Sequence, residues 1–157
     1  RNKLSISTKR KVILFGALKA IDDDRKGIKL LNGNDVTIVA TGHLVWESIE
    51  AAKILNASGI SVELINIHTI KPLDEKMILE SVSKTKCIVS AEEHNYLGGL
   101  GESVSRVLAS NNPKPQEFVA TNDTFGESGT PAQLMEKYGL SANSIVEKSE
   151  KVIKRKN

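Results

Sequence analysis

Residues 87 to 101, Cys-Ile-Val-Ser-Ala-Glu-Glu-His-Asn-Tyr-Leu-Gly-Gly-Leu-Gly, decide the fold class. The stretch opens with a brief, continuous apolar run, Cys87 to Ala91, as expected for a strand covered on both faces. It ends at two acids and an imidazole, Glu92, Glu93 and His94. Glycines 98, 99 and 101 then lead into Val104, Val107 and Leu108, which are spaced as one helix face, with Asn111, Asn112 and Pro113 as the stop. A buried strand that turns through glycine into a helix is the repeating unit of an α/β sheet.

The same unit recurs on both sides. Val36 to Ala40, Val62 to Ile67 and Phe118 to Ala120 are further short apolar runs. The first is followed by helical spacing from Trp46 to Leu55, ending near Asn56 with Gly59 beyond. After the second, Asp74 can cap a helix carrying Met77, Ile78 and Val82. Beyond the fourth, Pro131 suits a first helical position, Tyr138-Gly139 closes that helix, and Ser141 caps a last one running through Ile145, Val146, Val152 and Ile153. Upstream, Ile28 to Leu31 and Asp35 to Ile38 flank Asn32-Gly33-Asn34, which reads as a hairpin turn and predicts an antiparallel edge strand. The expected architecture is a three-layer α/β/α sandwich with a mainly parallel five-stranded sheet and one antiparallel edge strand. Residues 1–25, with the acidic Asp22-Asp23-Asp24, lack periodicity and read as a linker or an incomplete preceding segment, so the domain is expected to span 26–157. Arg1 stands where an initiating Met would, as expected of an excised or processed segment.

Composition excludes several classes. A chain of 157 residues, 39% hydrophobic and 26% charged, fits one globular domain rather than a disordered chain. The lone Cys87 has no internal partner for a disulfide and reads as a small buried hydrophobe in a protein of the reducing cytoplasm. The net charge of +3 is carried by the ends, at Lys9, Arg10 and Lys11 and at Lys151, Lys154, Arg155 and Lys156. Without interleaved aromatics these read as solvated tails, and no nucleic-acid partner is expected. No stretch approaches the ~20 apolar residues of a membrane span, and Val12 to Leu18 is too short and lacks a cleavage pattern.

In open α/β sheets, ligands gather at the carboxyl ends of the strands, where His43, His68 and His94 all fall. None has the short spacing of a recognised metal motif, so no metal site is expected. Glu92 and His94 could form an acid–base pair, but no nucleophile accompanies them, and structural or interface work is the favoured role. Gly98, Gly99 and Gly101 match neither the dinucleotide nor the Walker pattern. They suit a tight turn and close packing at a helix start, with anion binding by the helix terminus as the alternative. Asp123, Glu127 and Ser128 could hold a cation, although a helix cap by Ser128 or Thr130 is preferred. Lys71-Pro72-Leu73-Asp74 reads as an extended residue, a rigid turn and a cap. Glu92, His94, Gly98, Gly99 and Gly101 are therefore the interface or possible anion-binding candidates, and no catalytic residue is assigned.

Four ordered motifs resemble the carboxyl-terminal domain of transketolase. They are Asp35 to Gly42, Ile70 to Asp74, Glu92-Glu93-His94 with Gly98 to Gly101, and Asp123 to Gly129. The ending Tyr138-Gly139-Leu140-Ser141 with Ile145-Val146 extends the resemblance over residues 26 to 153. The resemblance implies the third domain of a thiamine-diphosphate enzyme that moves a two-carbon ketol unit between sugar phosphates. It also implies that the cofactor and a divalent metal are held elsewhere, through a Gly-Asp-Gly motif in the first domain, with the activating glutamate in the second. This segment would support assembly and bind no cofactor itself. Its partners would be the amino-terminal cofactor-binding and middle domains, in a cytoplasmic homodimer of the pentose phosphate pathway. Related domains occur in deoxyxylulose-phosphate synthase and in the decarboxylating components of 2-oxoacid dehydrogenases, which Ser81 to Thr85 would suit. Phe125 to Gly129 and Tyr138 to Leu140 favour transketolase. Two rival readings remain. One is a ligand-binding regulatory module with Gly42, His68, His94 and Gly99 around an anion, and the other is a small enzyme using Glu92 and His94.

Overall fold

The computed structural model describes residues 26–122 and 128–156. In chain order the strands are β1 (Ile28–Leu31), β2 (Val36–Ala40), β3 (Val62–Asn66), β4 (Ile88–Asn95) and β5 (Gln116–Thr121). The helices are α1 (Leu44–Ala57), α2 (Glu75–Thr85), α3 (Leu100–Asn111), α4 (Pro131–Lys137) and α5 (Ala142–Ile153). The sheet order is β1-β3-β2-β4-β5. β2 pairs in parallel with β3 and β4, β5 pairs in parallel with β4, and β1 is antiparallel to β3.

Every residue of β2 and β3 is buried, because helices cover both faces of the sheet. On one face Ile38, Leu64 and Val89 meet Leu55 of α1 and Ile145 and Val152 of α5. On the other, Val39, Ile65 and Ile88 meet Ile78 and Val82 of α2 and Val104 of α3. The expected caps form: the Asp74 carboxylate accepts from the Met77 amide, Thr130 makes a capping box with Gln133, and Ser141 accepts from the Ser144 amide. Asp123 and Glu127, considered above as cation ligands, lie outside the described residues, as do residues 1–25.

Two expectations need correction. The edge strand is antiparallel, but it is not a hairpin partner of β2; it pairs with β3, Ile28 lying opposite Asn66. Gly33 makes this possible by crossing hard against the start of β3, where any Cβ would collide with the Val62 backbone. The second correction concerns β5, which is only partly covered on the face where Gly101 of α3 meets Phe118. As the other edge it alternates in burial, and Phe118 is 38% exposed.

Two buried carboxylates fasten the sheet's edges to their surroundings. Glu63 in β3 is fully buried, with Lys29 of β1 3.0 Å away and Lys84 of α2 donating to its other oxygen. Burial alone would push this carboxyl up; Lys84, Ser81, Lys29 and the Gly33 amide outweigh it and hold it down at about 2. In β5, Glu117 receives Arg155 at 2.6 Å, Lys151 at 3.1 Å and Lys148 at 3.6 Å, all from the carboxyl end of the chain. Burial opposes its ionisation too, and these cations again win, so its carboxyl lies below the ordinary value. A depressed carboxyl stabilises the fold above its unfolded value and loses that contribution as pH falls through the folded one. The Glu63→Gln variant should therefore melt lower than wild type at pH 7 by roughly 2 kcal/mol of stability. The gap should narrow below the ordinary carboxyl value of 4.5 and close near pH 2, as followed by circular dichroism melts across pH.

Candidate functional site

The sheet order places a topological switch between β2 and β4. From β2 the chain continues outward to β3, whereas β4 leads to β5 on the opposite side. The loop after β2 feeds α1 on one face of the sheet and the loop after β4 feeds α3 on the other. The two loops diverge and leave a crevice of about 340 Å³ at the strand ends, the place where open α/β sheets hold ligands. Thr41, Gly42 and Ile70 line one side, and Glu93, His94 and Gly98 the other. The Thr41 amide donates to the Ala91 carbonyl at 3.1 Å and fixes the spacing between the two strand ends.

Glu92 is 1% exposed and lies beneath the amino terminus of α3. One of its oxygens accepts from the Leu100 amide at 2.7 Å and the other from the Gly101 amide at 2.8 Å. Those N–H groups belong to the first turn, which has no partner within the helix, and the helix dipole adds to the attraction. Glycine is required beside the carboxylate because a Cβ on Gly99 would overlap it. At Gly101 a Cβ would lie 2.6 Å from the Phe118 ring, so α3 approaches β5 closely there. Gly98 has φ +77, a left-handed conformation that favours glycine, and its amide donates to Glu102. The chain thus supplies its own anion where the sequence allowed an external one.

The candidate residues do not converge. The pairing of β4 with β5 is interrupted between Ala91 and Asn95, and past this point Glu92 turns inward while Glu93 and His94 stay exposed. The His94 ring lies 3.0 Å from the Asn95 carbonyl. His68 contacts the Thr69 hydroxyl at 2.9 Å, and His43 lies 4.0 Å from Glu47. The three histidines are held separately, and among the described residues no group of three or more His, Cys, Asp or Glu side chains could hold a metal ion. A second cleft of about 390 Å³, lined by His43, Thr121, Leu134, Tyr138 and Leu140, shares Glu93 as a wall with the first.

These residues do not fit a diphosphate cofactor. The amides that could cradle it are bonded to Glu92, and among the described residues the crevice is lined by two carboxylates and His94 with no Lys or Arg. Sequence reasoning singled out Glu92, His94 and the glycines, and its regulatory reading grouped Gly42 with His94 and Gly99, which do share the crevice, and with His68, which does not line it; it missed Thr41 and Ile70. It also missed Glu63 and Glu117; for Glu63 the available signal was an acid inside an otherwise apolar strand. Replacing Glu92 by Gln turns an N–H₂ group toward a backbone N–H, so Glu92→Gln should cost roughly 1.5–3 kcal/mol of stability in urea unfolding. Gly99→Ala should be destabilising in the same measurement because of the overlap with Glu92.

Comparison with known proteins agrees with this architecture. A family model described as transketolase, C-terminal domain, matches residues 26–145. A 6-deoxy-6-sulfo-D-fructose transketolase subunit of Clostridium sp. (strain MSTE9) is 44% identical over 132 residues, covering 84% of this chain and 41% of that protein. A putative transketolase C-terminal section of Methanocaldococcus jannaschii is 41% identical over 124 residues, covering 78% of this chain and 38% of that protein. Among solved structures, a split gene transketolase described as an inactive beta4 tetramer superposes with a TM-score of 0.83 at 42% identity, covering 86% of this chain and 44% of that one. The chain spans about two fifths of the length of these curated relatives. With the family model matched across most of the fold, the chain belongs to the transketolase C-terminal domain family.

Proposed function

We propose that this chain is the carboxyl-terminal, assembly-supporting part of a transketolase. The complete enzyme is a thiamine-diphosphate transferase that moves ketol units between sugar phosphates in the cytoplasm. The observation that carries this reading is the filled helix terminus. In a fold suited to holding an anion at the amino end of α3, Glu92 occupies that position, and the loop before the helix is bonded by Asn95 to the Leu97 amide and by Glu102 to the Gly98 amide. A rigid loop at the strand ends, with Tyr96 42% and Leu97 51% exposed, is suited to contact with other protein rather than to chemistry.

The cofactor and its divalent metal belong, on this reading, to the amino-terminal domain, and the middle domain completes the active site. Bound thiamine diphosphate supplies the carbanion chemistry of ketol transfer. On this reading the described residues present a surface on which the other domains pack rather than contacts to the reacting atoms. The names of the similar proteins, a transketolase subunit, a C-terminal section and a split gene transketolase, support a form in which the enzyme is divided between polypeptides. A homodimer of the complete enzyme is the expected assembly. Among the described residues no helix is long and apolar enough to cross a membrane.

Isothermal titration of the chain with thiamine diphosphate and Mg²⁺ should give no heat of binding, and coupled assays with ketose phosphate should show no turnover. Adding the polypeptide or polypeptides that carry the cofactor-binding and middle domains should give a stable complex and restore ketol transfer. Turnover by this chain alone would overturn the assignment.

A further inference from the structure

We infer that the crevice between β2 and β4 is a socket for a basic side chain, carried on a protein segment of the polypeptide that completes the enzyme. The inference rests on the assembly role proposed above and specifies the chemistry of the contact. Three observations carry it. The crevice has room for a side chain, about 340 Å³, at the topological switch. Its charge is one-sided: Glu92 and Glu93 line it with His94, and among the described residues no Lys or Arg does. An incoming phosphate would meet carboxylates, while a guanidinium or ammonium group would be attracted. Glu92 has both oxygens engaged by amides, so exposed Glu93 is the acceptor left to meet the cation.

The third observation says why the occupant is protein. Beside the crevice, Tyr96 and Leu97 are 42% and 51% exposed. They are held in place: the Tyr96 amide donates to the Thr121 carbonyl at 3.1 Å and the Leu97 amide to the Asn95 side chain at 3.0 Å. Apolar side chains fixed at the edge of an acidic crevice complement a segment that pairs a basic residue with apolar neighbours. A rigid interface of this kind loses little conformational freedom on binding.

The test uses the assembled enzyme, this chain together with the polypeptide or polypeptides that carry the cofactor-binding and middle domains, with association followed by sedimentation velocity over a dilution series. Glu93→Lys should weaken association about tenfold or more and Glu93→Gln roughly threefold to fivefold, as expected for reversing and removing a charge at an interface. Raising salt from about 50 to 500 mM should weaken wild type more than Glu93→Gln, since the screened attraction is already lost in the variant. Matching thermal melts separate these effects from misfolding; if Glu93→Lys melts low, Glu93→Gln decides. Leu97→Asp reads whether this end of the sheet is an interface at all. If Leu97→Asp weakens association and neither Glu93 variant does, the socket is wrong and the assembly role stands. If none of the three changes association, both fall.

Discussion

The carboxylate of Glu92 ends a strand inside the protein, where a charge persists only if donors surround it. The first turn of α3 provides them, and α3 in turn starts where it does because this acceptor meets its free amides. The pairing explains other features of the sequence. Gly99 is needed so that the backbone can pass over the carboxylate, and Gly98 is needed to turn the chain there. The kinked end of β4 follows from pulling Glu92 inward while Asn95 still pairs with Thr121. Removing the charge would disturb helix, strand and loop together.

That arrangement divides the sheet into two ends with different work. Near the strand starts, Glu63 and Glu117 draw lysines and an arginine from β1, α2 and α5 onto the sheet, joining elements distant in the chain. These pairs are partly open to solvent on the cationic side, which limits their contribution, but the buried carboxylates would be costly to leave alone. At the strand ends the acids are either satisfied by backbone, as Glu92 is, or left facing outward, as Glu93 is. Bonded carboxylates hold the sheet at both ends, and at the strand ends Glu93 adds an accessible charge.

Much of the fold was legible in the sequence because its signals are local. Brief apolar runs, the Asp74, Thr130 and Ser141 caps, and the glycines before α3 each depend on residues close in the chain. The pairing of β1 was not legible. A strand followed by Asn-Gly-Asn looks like half a hairpin, and only the close passage of Gly33 over β3 reveals the true neighbour. The exposure of Phe118 was hidden for a related reason, since an apolar run does not say whether its strand lies at an edge. For the candidate site, the residues after β4 stood out as a motif and Gly42 could be grouped with them as a strand-end residue, but Thr41 and Ile70 on the opposite wall become visible only when the sheet is assembled. Glu92 and His94 are two residues apart, and strict alternation would have put them on one side; the interrupted pairing separates them.

The placement of β1 bears on the order in which the chain can fold during synthesis. As β1 leaves the ribosome it has no partner, because β2 comes next and is destined for the far side of β3. The Ile28–Leu31 segment must wait until β3 has been made, and the passage at Gly33 can close only then. β1 can therefore dock only after β2 and β3 have both been made, though still before β4 and β5 emerge.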